Sequence, residues 1–388
     1  MAAHFDTLIV GAGFTGSVIA ECLAREGGQR VCIIERRSYV GGLANDFTDA
    51  HGVRCHRYGP HIFHTKSQTV WSYLSRFTSW RRYEHRVVAN VDGRLMPFPI
   101  NRDTINSLYG LKLNSAREMK RFLAERSERT NNLRTSEAFV VAKVGRDLYE
   151  RFFRGYTRKQ WGVDASNLDR SVCARIPIRM NRESRYYLDP LQGIPLDGYE
   201  ALFSRILSHP NVEVQTSEDF EQLPKNISYD HLVYTGPIDR FYGYRHGKLP
   251  YRSIATEFKN LPTPDGKLIQ ATPQINYPSE DVPYTRSVEF RHLTGQQHMS
   301  STIGLEFSFA TGEPCYPFPS LESRKIYRRY RRLAAKEHGI TFVGRLAQYQ
   351  YLNMDQVVAQ ALLAAARIHG KANKSASRDH ALKGICQE

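Results

Sequence analysis

The segment Thr7-Leu8-Ile9-Val10-Gly11-Ala12-Gly13-Phe14-Thr15-Gly16 leaves little choice of local fold. Apolar residues suited to a strand run into three spaced glycines, and an apolar helical pattern (Val18, Ile19, Cys22, Leu23) follows at once. A strand–turn–helix of this kind needs Gly11 for the sharp turn, Gly13 for the approach of a pyrophosphate, and Gly16 for contact between helix and strand. The helix N-terminus then offers free N–H groups and a positive dipole end to phosphates. A second apolar strand, Val31-Cys32-Ile33-Ile34, ends in Glu35, at the spacing expected of a carboxylate that binds the adenosine ribose. An acid there suits an unphosphorylated ribose, so NAD or FAD is favoured over NADP.

Arg36-Arg37 and the pair Gly41-Gly42 follow. A glycine pair just past the ribose acid recurs in FAD proteins, where the backbone passes close to the cofactor; the two arginines either lie along adenine or phosphate or form a solvated turn. In Tyr58-Gly59-Pro60-His61-Ile62-Phe63-His64-Thr65 the glycine and proline put the histidines on a loop edge. Metal ligation needs companion ligands, and no Cys, His or Asp cluster stands at ligand spacing, so no metal is expected. A flavin or sugar contact is favoured there over a buried core histidine. Val87 to Val91 and then Asp92-Gly93 read as a hairpin, and Pro97 and Pro99 keep the next segment extended.

Residues 102 to 155 read as helical, with Val141, Val144, Leu148 and Phe152 on one face. They lead into Arg151-Phe152-Phe153-Arg154-Gly155-Tyr156-Thr157-Arg158-Lys159-Gln160-Trp161-Gly162, where aromatics and cations interleave. The segment reads either as a nucleotide site, with rings for a base and cations for phosphates, or as core packing with snorkelling arginines. Gly155 and Gly162 are expected to break the helix, which favours the nucleotide site. Arg175, in Ala174-Arg175-Ile176-Pro177, suits a rigid diphosphate clamp. Val212 to Thr216 and His231 to Thr235 return to a parallel-sheet pattern, and residues 250 to 310 alternate like sheet, with Arg252 and Arg286 among them. Pro314-Cys315-Tyr316-Pro317 reads as a rigid turn displaying a tyrosine. A last strand–loop–helix junction runs from Thr341-Phe342-Val343-Gly344-Arg345 through Tyr351-Leu352-Asn353-Met354-Asp355. No second GxGxxG occurs, so no separate nicotinamide nucleotide site is expected.

A net charge of +15 over 388 residues fits either a nucleic-acid surface or an enzyme for anionic small molecules. The clusters at Arg324 to Arg332 and Lys371 to Lys383 read as a solvated helix face and a frayed terminus, and no nucleic-acid motif is visible, so the small molecule is favoured. No apolar run approaches the ~18 residues of a membrane span. The chain enters its first strand directly, without a signal-peptide pattern, and its six cysteines (Cys22, Cys32, Cys55, Cys173, Cys315, Cys386) form no CxxC. Reduced thiols and a cytoplasmic location are therefore expected.

Taken in order, GAGFTG, YGPHIFHT, FFRGYTRKQWG, ARIP, YTGPID, VPYTR, FVGR and YLNMD resemble the UDP-galactopyranose mutase family of the shorter bacterial type, over roughly residues 5 to 368. The resemblance implies an isomerase that interconverts UDP-galactopyranose and UDP-galactofuranose for cell-wall polysaccharide, as a homodimer without nucleic-acid partners. It implies FAD, reduced for activity, whose N5 is the covalent nucleophile at the anomeric carbon. Arg175 and Arg286 are similar to the family's diphosphate arginines, and His64 is implied as a further catalytic group. Phe152, Phe153 and Tyr156 resemble the uracil platform, Trp161 a sugar contact, and Tyr186, Tyr316 and Tyr351 diphosphate-binding tyrosines. Arg252 resembles a further nucleotide or loop contact, and Asn276 a further substrate contact. Cofactor contacts are implied at Gly11, Gly13, Phe14, Thr15, Glu35, Arg36, Gly42, Leu43, His61, Ile62, His64, Arg345, Tyr351, Asn353 and Met354. Leu43, Cys315 and Gln350 depart from the family pattern, which keeps a related nucleotide hexose as the alternative substrate; an amine-oxidase-like FAD oxidoreductase is less favoured.

The expected architecture is α/β. Residues 1–80, 211–245 and 321–370 form a Rossmann-like FAD-binding part. Residues 81–101 and 246–320 form a mixed or antiparallel substrate sheet. Residues 102–172 are an inserted helical lobe, 173–210 a mobile substrate loop and return, and 371–388 a basic flexible tail.

Overall fold

The strand Val31–Glu35 is buried at every position, as a parallel strand covered on both faces must be. In the computed structural model, which describes residues 3–223 and 227–385 and the side chains of 4–223 and 227–370, it is the second member of a five-stranded sheet. Strand order is Val212–Thr216, Val31–Glu35, Ala3–Val10, Ile227–Tyr234, Ile340–Phe342, all parallel. The chain leaves the central strand Ala3–Val10 toward one side and later returns on the other. Strand order therefore reverses at Val10, and a crevice forms at the carboxyl ends of Ala3–Val10 and Ile227–Tyr234. This is the expected Rossmann-like topology.

The helix Phe14–Gly27 starts in the glycine loop and packs along Met354–Ile385. Val18, Ile19 and Leu23 of the first helix share one core with Val358, Ala361 and Ala365 of the second. The backbone of Met354–Ile385 continues as helix where the sequence reading placed a tail from residue 371. Cys386 lies outside the described residues; Cys22, Cys32, Cys55, Cys173 and Cys315 are buried free thiols.

A second, seven-stranded sheet carries the other half of the chain, in the order Tyr316–Pro317, Tyr251–Pro262, Ser300–Phe309, Arg286–Glu289, Gln274–Asn276, Val87–Val91, Arg94–Phe98. It is antiparallel except where Gln274–Asn276 runs parallel to Val87–Val91. The expected hairpin at Asp92-Gly93 joins its last two strands. Helices Arg102–Tyr109, Ala116–Arg126, Ser136–Val144, Arg146–Tyr149 and Gly155–Trp161 cover this end. Val141, Val144, Leu148 and Phe152 are all buried in the core that the helices share with Val87 and Phe98.

One local expectation fails. Gly155 does not break the helix: a π-helical turn, Glu150–Arg154, runs directly into Gly155–Trp161, and only Gly162, with φ of +74°, ends it. Gly155 is small for a different reason. A Cβ there would lie 2.3 Å from the carbonyl oxygen of Pro278, so the glycine allows a loop from the sheet to rest on the helix.

Phe203, on the helix Tyr199–Ile206, ties these layers to the glycine loop. It is fully buried, its ring lies 4.7 Å from that of Phe14, and it packs against Gly41. Phe203→Ala should lower unfolding stability by about 3–5 kcal/mol, seen as a lower urea midpoint at unchanged m.

Candidate active site

The glycine loop owes its shape to contacts too close for any side chain. A Cβ at Gly16 would lie 2.0 Å from the Gly11 carbonyl oxygen, so the helix rests directly on the turn. Gly11 has φ of +102° and faces the Thr235 hydroxyl, which donates to the Val10 carbonyl at 2.7 Å. The helix that follows has Gly13 at its N-cap and no capping side chain, so its first amides are left for a ligand.

The crevice at this loop is a groove of about 1370 Å³, counting the part open to solvent. Of the residues expected to hold a cofactor, Gly11, Gly13, Phe14, Thr15, Glu35, Arg36, Gly42, Leu43, His61, Arg345 and Met354 line it. Glu35 is buried. Its carboxylate accepts from the amides of Ala12 and Arg37, both at 3.0 Å, and from the Arg37 guanidinium at 3.0 Å. A carboxylate has about four lone-pair sites, so one acceptor position is left for a ribose hydroxyl. Arg36 and Arg37 both bridge to Glu313, which arrives from the other sheet. The pair is therefore no solvated turn: both arginines are tied to Glu313 while lining the groove.

A second cleft, of about 1740 Å³ on the same measure, lies between the seven-stranded sheet and the helical lobe. It gathers Phe152, Phe153, Tyr156, Trp161, Arg175, Tyr186, Asn276, Arg286, Tyr316 and Tyr351 from separate stretches of chain. Ile62, His64 and Asn353, expected at the cofactor, line this cleft instead, as does Tyr351. The two spaces meet at His61, Arg345 and Met354, which line both.

Strand register explains how Arg286 reaches its place. Asn276, Arg286 and Glu306 stand directly opposite one another on three adjacent strands. Glu306 is 1% exposed and accepts from the Arg286 guanidinium at 2.6 Å. Burial pushes the Glu306 carboxyl up, against the pull of Arg286, while the carboxylate and neighbouring tyrosines hold the buried Arg286 charged. Arg175, by contrast, pairs with no acid among the described residues. It ends the short helix Ser171–Ala174, is exposed to the cleft, and lies 4.4 Å over the ring of Tyr351. Tyr351 stacks on Tyr316 at 5.3 Å, and Arg345 approaches both rings. Burial raises the Tyr351 phenol, but Arg175 and Arg345 outweigh it and hold it below the ordinary tyrosine value.

Arg252 is the residue that the structure leaves out. It lines neither space; its guanidinium donates to the carbonyls of Gln160 and Ser308, both at 3.0 Å, and so clamps the end of Gly155–Trp161 to the sheet. Arg179, four residues beyond Arg175, is likewise used internally, on the carbonyls of Glu183, Arg185 and Tyr186.

His64 donates through Nδ1 to Asp189 at 2.7 Å and stacks on Tyr187 with ring centres 3.7 Å apart, leaving Nε2 for the cleft. His61 donates from Nδ1 to the Gly59 carbonyl at 2.8 Å, and its amide donates to His56 Nδ1 at 2.8 Å. Asp189, Tyr187, His56, His85 and Glu306 carry no local signal that singles them out. Three side chains able to hold a metal converge, among the described residues, at His4, Asp6 and Asp230, at the start of the first strand and away from both spaces.

The parallel sheet, its uncapped helix and the joined groove and cleft define a dinucleotide-binding α/β enzyme with a separate substrate pocket. A family model for NAD(P)-binding Rossmann-like domains matches residues 9–77, and one for UDP-galactopyranose mutase matches residues 151–351. The chain belongs to the UDP-galactopyranose mutase family and is an isomerase of the mutase kind. A Klebsiella pneumoniae protein described as a probable UDP-galactopyranose mutase is 40% identical over 92% of this chain and 93% of its own. A dTDP-fucopyranose mutase of Escherichia coli is 37% identical over 95% of this chain and 99% of its own. Among solved structures, a reduced UDP-galactopyranose mutase at 19% identity superposes with a TM-score of 0.73, covering 94% of this chain and 96% of that one, which shows a shared fold.

The buried histidines at and behind the cleft set a pH limit. Burial, with the charge of Arg54, pushes His56 from 6.5 to about 3; burial and His56 push His61 to about 3; burial pushes His85 to about 4. Each binds its proton more readily when unfolded, so stability is fully present above about 6.5 and falls as the pH drops toward the folded values. Urea midpoints should decline from pH 6.5 to 4, with up to about three protons taken up on unfolding. His85→Gln should flatten that slope by about one proton.

Proposed function

We propose that the chain interconverts the pyranose and furanose forms of a nucleotide-linked galactose, UDP-galactose foremost, with reduced FAD in the glycine-loop groove. The observation that carries this reading is the junction of groove and cleft at His61, Arg345 and Met354. A cofactor ring reaching past Leu43 to that junction would face a pocket furnished with aromatic rings and arginines. The groove suits FAD in this chain's own terms: the uncapped amides after Gly13 fit a pyrophosphate, and Glu35 keeps one acceptor site for the ribose.

Bound there and reduced, FAD would supply N5 as the nucleophile at the sugar's anomeric carbon. The rest is work for side chains. Phe152, Phe153 and Tyr156 offer ring faces to the base, and Trp161 a wall by the sugar. The hydroxyls of Tyr186, Tyr316 and Tyr351 can donate to the diphosphate. Arg175 and Arg286 stabilise the charge that grows on the diphosphate as it leaves and hold it while detached. Arg286 is fixed by Glu306 before substrate arrives, whereas Arg175 sits at the start of the loop from 175 to 190 and can move with it. His64, with Nδ1 committed to Asp189, is oriented to exchange a proton at Nε2 with a sugar hydroxyl. Asn276, beside Arg286 in the register, contacts the nucleotide from the sheet side.

A 6-deoxyhexose carried on dTDP is the second reading, favoured by the full-length match to the dTDP-fucopyranose mutase. Dithionite-reduced protein should convert UDP-galactofuranose to UDP-galactopyranose, and oxidised protein should not. The same assay with dTDP-fucofuranose ranks the two readings. Arg175→Ala and Arg286→Ala should each lower kcat by about 10²-fold or more with the yellow flavin retained. Full turnover in both variants, or no conversion in either redox state, would remove the proposal.

A further inference from the structure

Lys159 lines neither space, yet its ammonium is fully engaged. Its ammonium donates to four backbone carbonyls, those of Tyr277, Ser279, Val282 and Tyr284, at 2.6, 2.6, 2.8 and 3.0 Å. All four come from one hairpin loop, 277–285, which joins Gln274–Asn276 to Arg286–Glu289. An ammonium has three N–H donors, so four converging oxygens more than saturate it. Carbonyl rings of this kind stand in for the hydration shell of a free cation. Their dipoles point at one another and keep this arrangement only with a positive charge at the centre.

The loop is seated on the helix that carries Lys159 at two more points. Pro278 lies against Gly155, where a Cβ would come within 2.3 Å of its carbonyl oxygen, and Arg158 pairs with Glu280 at 3.2 Å. The helix is held from its other side by Arg252 on the Gln160 carbonyl. The same helix presents Tyr156 and Trp161 to the cleft, and the same loop ends at Arg286.

We propose that Lys159 is a positioning residue, a tethered cation that sets the distance between the base platform and Arg286. The inference rests on reading the cleft as the nucleotide-sugar site. It assigns to the family motif segment a lysine that does not touch substrate but gives the diphosphate arginine its register against the aromatic wall.

Lys159→Met in the flavin-loaded protein should fold and keep its flavin, because neither the helix nor the loop lines the glycine-loop groove. UDP affinity, followed by quenching of intrinsic fluorescence, should weaken about tenfold, and kcat should fall about 10- to 100-fold, the cost of a displacement near 1 Å. In Lys159→Ala, propylammonium should restore part of both quantities, and choline should restore neither. Gly155→Ala keeps the lysine and improves helix propensity but pushes the loop away. It should reproduce the loss, without recovery in propylammonium. A Lys159→Met protein that binds UDP and turns over like the parent overturns the role of Lys159. So does a loss that follows only the folded fraction and ignores propylammonium. A parent protein that binds no UDP overturns instead the reading of the cleft on which the role rests.

Discussion

The contact between the helix Phe14–Gly27 and its own leading turn is the constraint on which the rest depends. Gly16 lies so close to the Gly11 carbonyl that a single added carbon would sit 2.0 Å away. With the helix pressed onto the turn, its N-terminal amides open onto the place where strand order reverses. The groove exists because two backbones touch where side chains would ordinarily intervene. Everything built later is hung from that edge: Thr235 caps the central strand, Phe203 packs against Gly41, and Met354 begins the helix that covers the first one.

The second organising force is electrostatic. The chain is rich in arginine, and the fold sorts its arginines by what they are given to bind. Arg252 and Arg179 end on backbone carbonyls and act as braces. Arg36 and Arg37 close on Glu313 and join the two sheets at the edge of the groove. Arg286 receives a single buried carboxylate, and Arg175 receives the ring and hydroxyl of Tyr351 but no carboxylate among the described residues. A buried guanidinium without any partner would be costly, and one fully paired would be useless to an anion. The two cleft arginines occupy the range between these limits, consistent with a ligand that brings its own negative charge.

Much of this was legible from the chain alone. Gly11 to Gly16, the acid at Glu35 and the apolar strands around them dictate a parallel sheet, because spacing along the chain determines which residues meet across one turn. The aromatics between Arg151 and Gly162 likewise announced a pocket wall, but the cations among them, expected at phosphates, end on acids and carbonyls outside the cleft, and Gly155 was misread as a helix breaker. Local pattern cannot tell a glycine that ends a helix from one that makes room for Pro278. Nor could it separate Arg252 from Arg286, two arginines in strands of similar pattern.

What the sequence by itself determined is the type of groove and the kinds of residues available for the cleft, since both follow from short-range spacing and side-chain chemistry. What only the tertiary structure decided is the employment of each residue. Glu306 meets Arg286 through strand register, Asp189 meets His64 across a loop return, and Lys159 meets four carbonyls of a hairpin more than a hundred residues away. Those pairings depend on long-range alignment of elements, for which no local residue pattern carries a signal.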